Sequence, residues 1–457
     1  MKNSQKERHT FSGKIGFVLA AAGASVGLGN IWRFPYLAAK YGGGIFILAY
    51  IILAVTFGYT MIIAETSIGR MTRKSPVGAF RSFGNRMVHR FGGWLNAIIP
   101  LLIVPYYCTI GGWVLNYLWT YITGHGDQLV AESSFTNFIS NGARVEIFFI
   151  IFAVITLCVV IFGVQGGIER VSKVMMPILI VLAMIVAIFS MTREGAMEGI
   201  QYLLVPNLEH FSLMTIVSAM GQMFYSLSIA MGILMTFGSY MKKEISIEKS
   251  TLQVEIFDSG IAIMAGLMII PAVFAFSDGN PNALSAGPSL MFETMPKIFA
   301  NMSFGSIIGL LFFVLVAFAA LTSSIALTES AVSTFEDEFG WNRKKTTCVI
   351  GMIIIIIGSF TSLGYGPLAS LQIFGMQLLD FFDFITNSIM MPIAALIICY
   401  VTVRYVGLDN ISKEMKQCGH QFKMEKVFRF MIQYACPIFV IIILISSIAN
   451  VFGFIHI

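Results

Sequence analysis

Apolar runs of bilayer-crossing length recur along this chain, at Ile147–Phe162, Met175–Met191, Ile307–Leu321 and Ile438–Phe454. A soluble core does not require such lengths, whereas a hydrocarbon slab about 30 Å thick does. Lipid offers backbone groups no hydrogen-bond partners, and the runs lack the alternation of a membrane barrel, so helices are expected. Composition agrees, with 57% hydrophobic and 12% charged residues, roughly half the charge of an average soluble domain. The fold class is an all-α polytopic membrane protein. Candidate spans lie at about 13–40, 43–69, 92–123, 144–163, 168–191, 213–240, 251–277, 304–335, 346–364, 369–403 and 427–454.

Eleven crossings starting from a cytoplasmic N-terminus place 24 of the 29 Lys and Arg on the cytoplasmic side. Only Arg33, Lys40, Arg144, Arg193 and Lys297 fall elsewhere, as the positive-inside rule requires. The net charge of +5 therefore reports orientation in a cell (plasma or inner) membrane rather than nucleic-acid binding. The six cysteines form neither a Cys-x-x-Cys pair nor a metal spacing and read as reduced packing residues. The first span is too long and glycine-broken for a cleavable signal peptide, so the N-terminus is expected to be retained. No linker or soluble insert interrupts residues 1–457, which read as one membrane domain. In the loop at about 278–303, Pro288, Glu293 and Pro296 suggest turns around a short helix capping an external vestibule, or an ordinary connection.

Two spans carry signs of interruption. The first holds Gly23, Gly27 and Gly29 near its middle; the sixth mixes Gly221, Gln222, Ser226, Ser228 and Gly232 into an apolar run. A break inside a bilayer is tolerable only against protein or water, where freed carbonyls and N–H groups can meet a cation and a carboxylate. Gly23 to Gly27 fits close helix packing equally well. Paired interrupted segments in corresponding positions point to a transporter site. In the eighth span Thr322, Ser323 and Ser324 could coordinate a small hard cation, or bond back to the carbonyl one turn earlier. Arg33, Glu65, Asp258, Asp380 and Asp383 are ionisable within apolar spans and so are functional candidates.

These residues closely resemble the neurotransmitter:sodium symporter family, in particular its bacterial amino-acid branch of leucine-transporter type. The resemblance rests on Gly23-Ala-Ser-Val-Gly-Leu-Gly-Asn-Ile-Trp-Arg-Phe-Pro35, Tyr106-Tyr107 with Gly111-Gly-Trp113, Gly221-Gln222 with Ser226-Leu-Ser228, and Ala319-Ala-Leu-Thr-Ser-Ser324 followed by Phe335-Glu-Asp-Glu338. It implies an inverted five-plus-five helix repeat, with repeats at about 13–191 and 213–403, an extra helix at about 427–454, and helices 1 and 6 unwound at midplane. It further implies two sodium ions and no organic cofactor. The first ion would be held by the Ser25 carbonyl, Asn30, Ser226, Asp258 and the substrate carboxylate; the second by carbonyls of Gly23, Val26 and Ala319 with hydroxyls of Thr322 and Ser323. All are oxygen donors, which suit a hard cation.

The substrate carboxylate would meet backbone N–H groups at Leu28 and Gly29 and the Tyr107 hydroxyl, with Ser25, Ile103, Tyr225, Ser226, Ser228, Met231, Ser324 and Leu327 lining the rest. Tyr225 would be a lid beneath an outer gate of Arg33 and Asp383; Arg8 and Asp337, helped by Tyr240, resemble an inner gate. Asp258 stands where the family usually has Asn, so its fixed charge would replace chloride. Ala230-Met-Gly232 stands where the leucine-transporter type has Phe between glycines, and a flexible Met favours broader uptake, aromatics included. Gly167 and Pro177 have a spacing that accompanies unwinding of the fifth helix in related members, or they mark a simple kink. The family's frequent twelfth helix is absent, which leaves the expected transport intact.

The expected activity is sodium-coupled symport of a hydrophobic amino acid by alternating access, by a monomer or weak dimer in a lipid bilayer. A channel is the main rival, and a substrate-sensing receptor would differ only in lacking net flux. No His-Glu-x-x-His or Gly-x-Ser-x-Gly motif suggests an enzyme.

Overall fold

The computed structural model describes residues 9–277, 287–451 and 453–454. Thirteen principal helices organise them: α1 Lys14–Ser25, α2 Gly29–Lys40, α3 Gly44–Thr72, α4 Met87–Ile122, α5 Gly142–Ile161, α6 Val164–Met191, α7 Leu213–Ser226, α8 Ile233–Ser239, α9 Ile247–Phe276, α10 Gly305–Phe339, α11 Arg343–Tyr365, α12 Leu378–Val406 and α13 Glu425–Val451. Nine of these are, among the described residues, each long and apolar enough to cross a membrane; α1 and α2, bent by 56°, pass the same test as a pair. Counting α7 and α8 as one further interrupted crossing reproduces the eleven expected from sequence.

One expectation changes. Hydropathy places the tenth span from 369, but α12 begins at Leu378. Pro367 and the left-handed pair Phe374 and Gly375 bend residues 366–377 into turns, despite their apolar character. Of the two readings left open for Gly167 and Pro177, unwinding is not seen: α6 runs from Val164 to Met191 through Pro177, with a π-helical turn at Val164–Glu169. The loop at 278–303 does contain short helices, Leu290–Thr294 and Met295–Ala300; its start at 278–286 lies outside the described residues.

A scaffold forms where α4 packs on α5, α10 and α11, while α1 lies against α6, α9 and α10. The α3–α8 contact is backbone to backbone: a Cβ added at Gly69 would sit 2.0 Å from the Met235 carbonyl oxygen, so only glycine permits the approach. The two interrupted crossings are thereby packed inside continuous helices. Their freed polar groups face protein rather than lipid.

Candidate functional site

The first interruption follows Ser25, where Val26 turns to an extended conformation (φ −72°, ψ 101°). Asn30 tailors the gap: its side-chain oxygen accepts the Gly27 N–H at 3.0 Å. In the second, residues 227–232 are non-helical, and Ser228 (φ 54°), Ala230 (φ 61°) and Gly232 (φ 70°) are left-handed. The buried Glu65 carboxylate accepts the Ala230 N–H at 2.7 Å, and the Ser228 hydroxyl donates to the Ala24 carbonyl at 3.1 Å. Side chains thus satisfy the groups that the helices release.

Asp258 projects from α9 to this junction and is fully buried. Its Oδ1 accepts from Asn30 Nδ2 and Ser226 Oγ, each at 2.8 Å, and its Oδ2 accepts from the Tyr50 hydroxyl at 2.8 Å. Of the residues expected around a first ion, Asn30, Ser226 and Asp258 therefore form one hydrogen-bonded cluster. The Ser25 hydroxyl bonds back to the Ala21 carbonyl at 3.2 Å, so from this residue the backbone carbonyl is the expected ligand. A second cluster joins α1 to α10, where the Ser323 hydroxyl lies 3.2 Å from both the Gly23 and Val26 carbonyl oxygens. The Thr322 hydroxyl lies 3.2 Å from the Ala319 carbonyl and 3.0 Å from that of Phe318. Ser323 thus meets the Gly23 and Val26 carbonyls across the two helices, while the Thr322 hydroxyl bonds back within α10. The second cluster presents oxygens that suit a hard cation, whereas in the first the Asn30 amide presents its N–H groups to Ser226 and Asp258 and its oxygen to Gly27.

Between the clusters lies a small cavity of about 30 Å³ lined by Ser25, Leu28, Gly29, Asn30, Ile103, Tyr107, Tyr225, Ser226, Ser228, Met231, Ser323 and Leu327, with Ala24 and Gly27. The Tyr107 hydroxyl accepts the Leu28 N–H at 3.3 Å. Ser324 is the one expected lining residue placed elsewhere: its hydroxyl pairs with Thr156 of α5 at 2.6 Å. Tyr225 rests on Gly29, where an added Cβ would come within 2.7 Å of its ring. Leu28, Tyr107 and Tyr225 also line a larger cavity of about 450 Å³, so they separate the pocket from a vestibule.

The vestibule holds Arg33, Asp380, Asp383, Gly287 and Pro288. Arg33 stands 5.7 Å over the Tyr225 ring rather than pairing with Asp383, which instead accepts from Asn387 at 2.6 Å. Asp380 accepts the Tyr365 hydroxyl at 3.0 Å. The opposite end is sealed. The Phe11 N–H donates to the Tyr240 carbonyl at 3.1 Å, and its ring meets Phe17, Phe237 and Tyr240 edge-on. The Tyr240 hydroxyl donates to buried Glu329 at 2.7 Å, which also pairs with Arg343. Asp337 accepts the Ser75 N–H at 2.8 Å; Arg8 lies outside the described residues.

Sequence reasoning missed Tyr50, Glu329 and Arg343. Each stands in or beside an apolar run, and a polar tip there was the available signal. It also flagged Gln222 only as part of a motif, whereas its amide donates to the Gly29 carbonyl at 3.0 Å and so ties α7 to the first break.

Residues 8–127 and 130–454 match the model of the sodium:neurotransmitter symporter family. An uncharacterized sodium-dependent transporter of Bacillus subtilis, YhdH, is 32% identical over 449 residues, covering 97% of this chain and 99% of that protein. An uncharacterized sodium-dependent transporter of Haemophilus influenzae is 30% identical over 462 residues, covering 98% and 100%. The crystal structure of MhsT in complex with L-phenylalanine superposes with a TM-score of 0.85 at 34% identity, covering 96% of this chain and 100% of MhsT. The architecture is accordingly the leucine-transporter fold, and the chemistry is that of carriers rather than enzymes. With nearly its whole length matched, this chain belongs to the sodium:neurotransmitter symporter family.

Proposed function

We propose that this chain imports hydrophobic L-amino acids, aromatic ones included, by coupling them to two sodium ions. The observation that carries the reading is the pocket between two oxygen clusters at the paired breaks. Its polar wall, Leu28 N–H, Gly29 and the Tyr107 hydroxyl, suits a carboxylate. Its apolar wall of Ile103, Met231 and Leu327 suits a hydrophobic side chain, and Met231 can re-pack around a ring. MhsT, which holds L-phenylalanine, supports the same substrate class.

The first ion takes Asn30, Ser226, Asp258, the Ser25 carbonyl and the substrate carboxylate, with the Asn30 amide turned to present its oxygen. Sharing the carboxylate couples ion to substrate. The second takes Gly23, Val26, Ala319, Thr322 and Ser323, linking α1 to α10. Two cations and a zwitterion concentrate positive charge, and the buried Asp258 carboxylate offsets one unit of it without chloride.

Transport follows as alternating access in a cell membrane with the N-terminus cytoplasmic. Sodium favours the form with the vestibule open; substrate draws Tyr225 down and brings Arg33 towards Asp383; loss of the second ion then releases Phe11, Tyr240 and Asp337 at the inner end. Binding to the purified protein tests this reading. Labelled L-phenylalanine is expected to bind in sodium and not in potassium, and L-tryptophan and L-leucine are expected to displace it. Binding indifferent to sodium, or displacement by polar amino acids alone, would overturn it.

A further inference from the structure

A third cavity, of about 330 Å³ and open on one side, lies at the end of the molecule opposite residues 9–13, where α4 ends and α5 begins. One wall is the last turns of α4, with Asn116, Tyr117 and Thr120; the other is the 126–141 connection with Arg144. Arg144 is the one charged side chain lining it, and no carboxylate lines it among the described residues. The guanidinium is aimed by two contacts. Its Nε donates to the Asn116 side-chain oxygen at 2.8 Å, and its Cζ stands 5.9 Å from the Phe138 ring centre. This leaves the terminal N–H groups, a fork that suits planar anions.

Neighbouring groups favour an acceptor too. With its oxygen taken by Arg144, Asn116 presents its amide N–H groups, and the buried Tyr117 hydroxyl stands beside that of Ser134. A monoatomic anion would fill only a corner of this volume, while Phe138, Leu129 and the Tyr117 ring offer apolar surface for an organic body. We propose that this cavity binds a small monocarboxylate through Arg144, at a site separate from the transport pocket. Occupancy would bear on the vestibule: the Tyr117 ring centre lies 4.9 Å from that of Phe292, in the segment that follows vestibule residues Gly287 and Pro288.

The inference does not depend on what the central pocket carries. The test is titration of the full chain in nanodiscs with benzoate and with uncharged benzamide, comparing wild type, Arg144→Gln, Arg144→Lys and the central-pocket variant Tyr107→Phe. Expected are saturable benzoate binding, no benzamide binding, an affinity about tenfold or more lower in Arg144→Gln, and little change in Tyr107→Phe. Arg144→Lys keeps the charge and should bind more tightly than Arg144→Gln. Thermal unfolding of each variant establishes that it is folded. Absence of saturable binding, equal affinity in folded Arg144→Gln, or loss of binding in Tyr107→Phe would overturn the proposal.

Discussion

Asp258 shows how much one side chain can determine here. A lone carboxylate removed from water is costly, yet this one accepts three hydrogen bonds, from Asn30, Ser226 and Tyr50. Asp258→Asn keeps the shape and removes the charge. Uptake by that variant is expected to fall about tenfold in gluconate and to recover in part with chloride, while wild type is indifferent to the anion. Equal behaviour of the two proteins would contradict the role given to Asp258. Ser323→Ala removes an oxygen shared between α1 and α10; the sodium concentration for half-maximal binding should rise about tenfold. The sequence revealed Asp258 because charge is rare in apolar runs. It did not reveal Tyr50, whose partner lies 208 residues away. Nor could it separate Ser323 from Ser324, since neighbours on a helix point about 100° apart and only packing decides which faces α1.

At the scale of elements, the interruptions carry the function, and they were unequally legible. Three glycines announced the first. In the second, Ser228 and Ala230 are left-handed without being glycine, a strain of roughly 1–3 kcal/mol each that local propensity argues against. Tertiary contacts hold it, chiefly Glu65 on the Ala230 N–H. Glu65→Ala should lower stability by about 1–3 kcal/mol through the orphaned N–H, read as a reduced midpoint of thermal unfolding. Gly29→Ala tests the other break. A Cβ there meets the Tyr225 ring, so substrate affinity should fall about tenfold while the unfolding midpoint stays near wild type. The start of α12 was misread because residues 369–377 are apolar enough to extend a span, and apolarity alone does not register the left-handed Phe374–Gly375 turn.

For the whole molecule, the two ends differ: one carries a vestibule reaching down to Tyr225, the other is closed by Phe11, Tyr240, Glu329 and Arg343. A carrier needs both ends closable and never open together, which a channel does not. Tyr240→Phe removes the bond to Glu329 and should shift the equilibrium towards an open inner end by about tenfold, seen as faster hydrogen exchange across residues 9–13. Unchanged exchange would show that this hydroxyl plays no part in the closure. Family membership and span count were readable from motif and hydropathy, whereas this asymmetry was not, because it depends on contacts between segments far apart in the chain. The most direct measurement is uptake of labelled L-phenylalanine into liposomes containing the purified protein, driven by an inward sodium gradient. Accumulation above equilibrium that collapses when the gradient is dissipated is the expected result; sodium-dependent binding without accumulation would contradict a symporter and indicate a receptor.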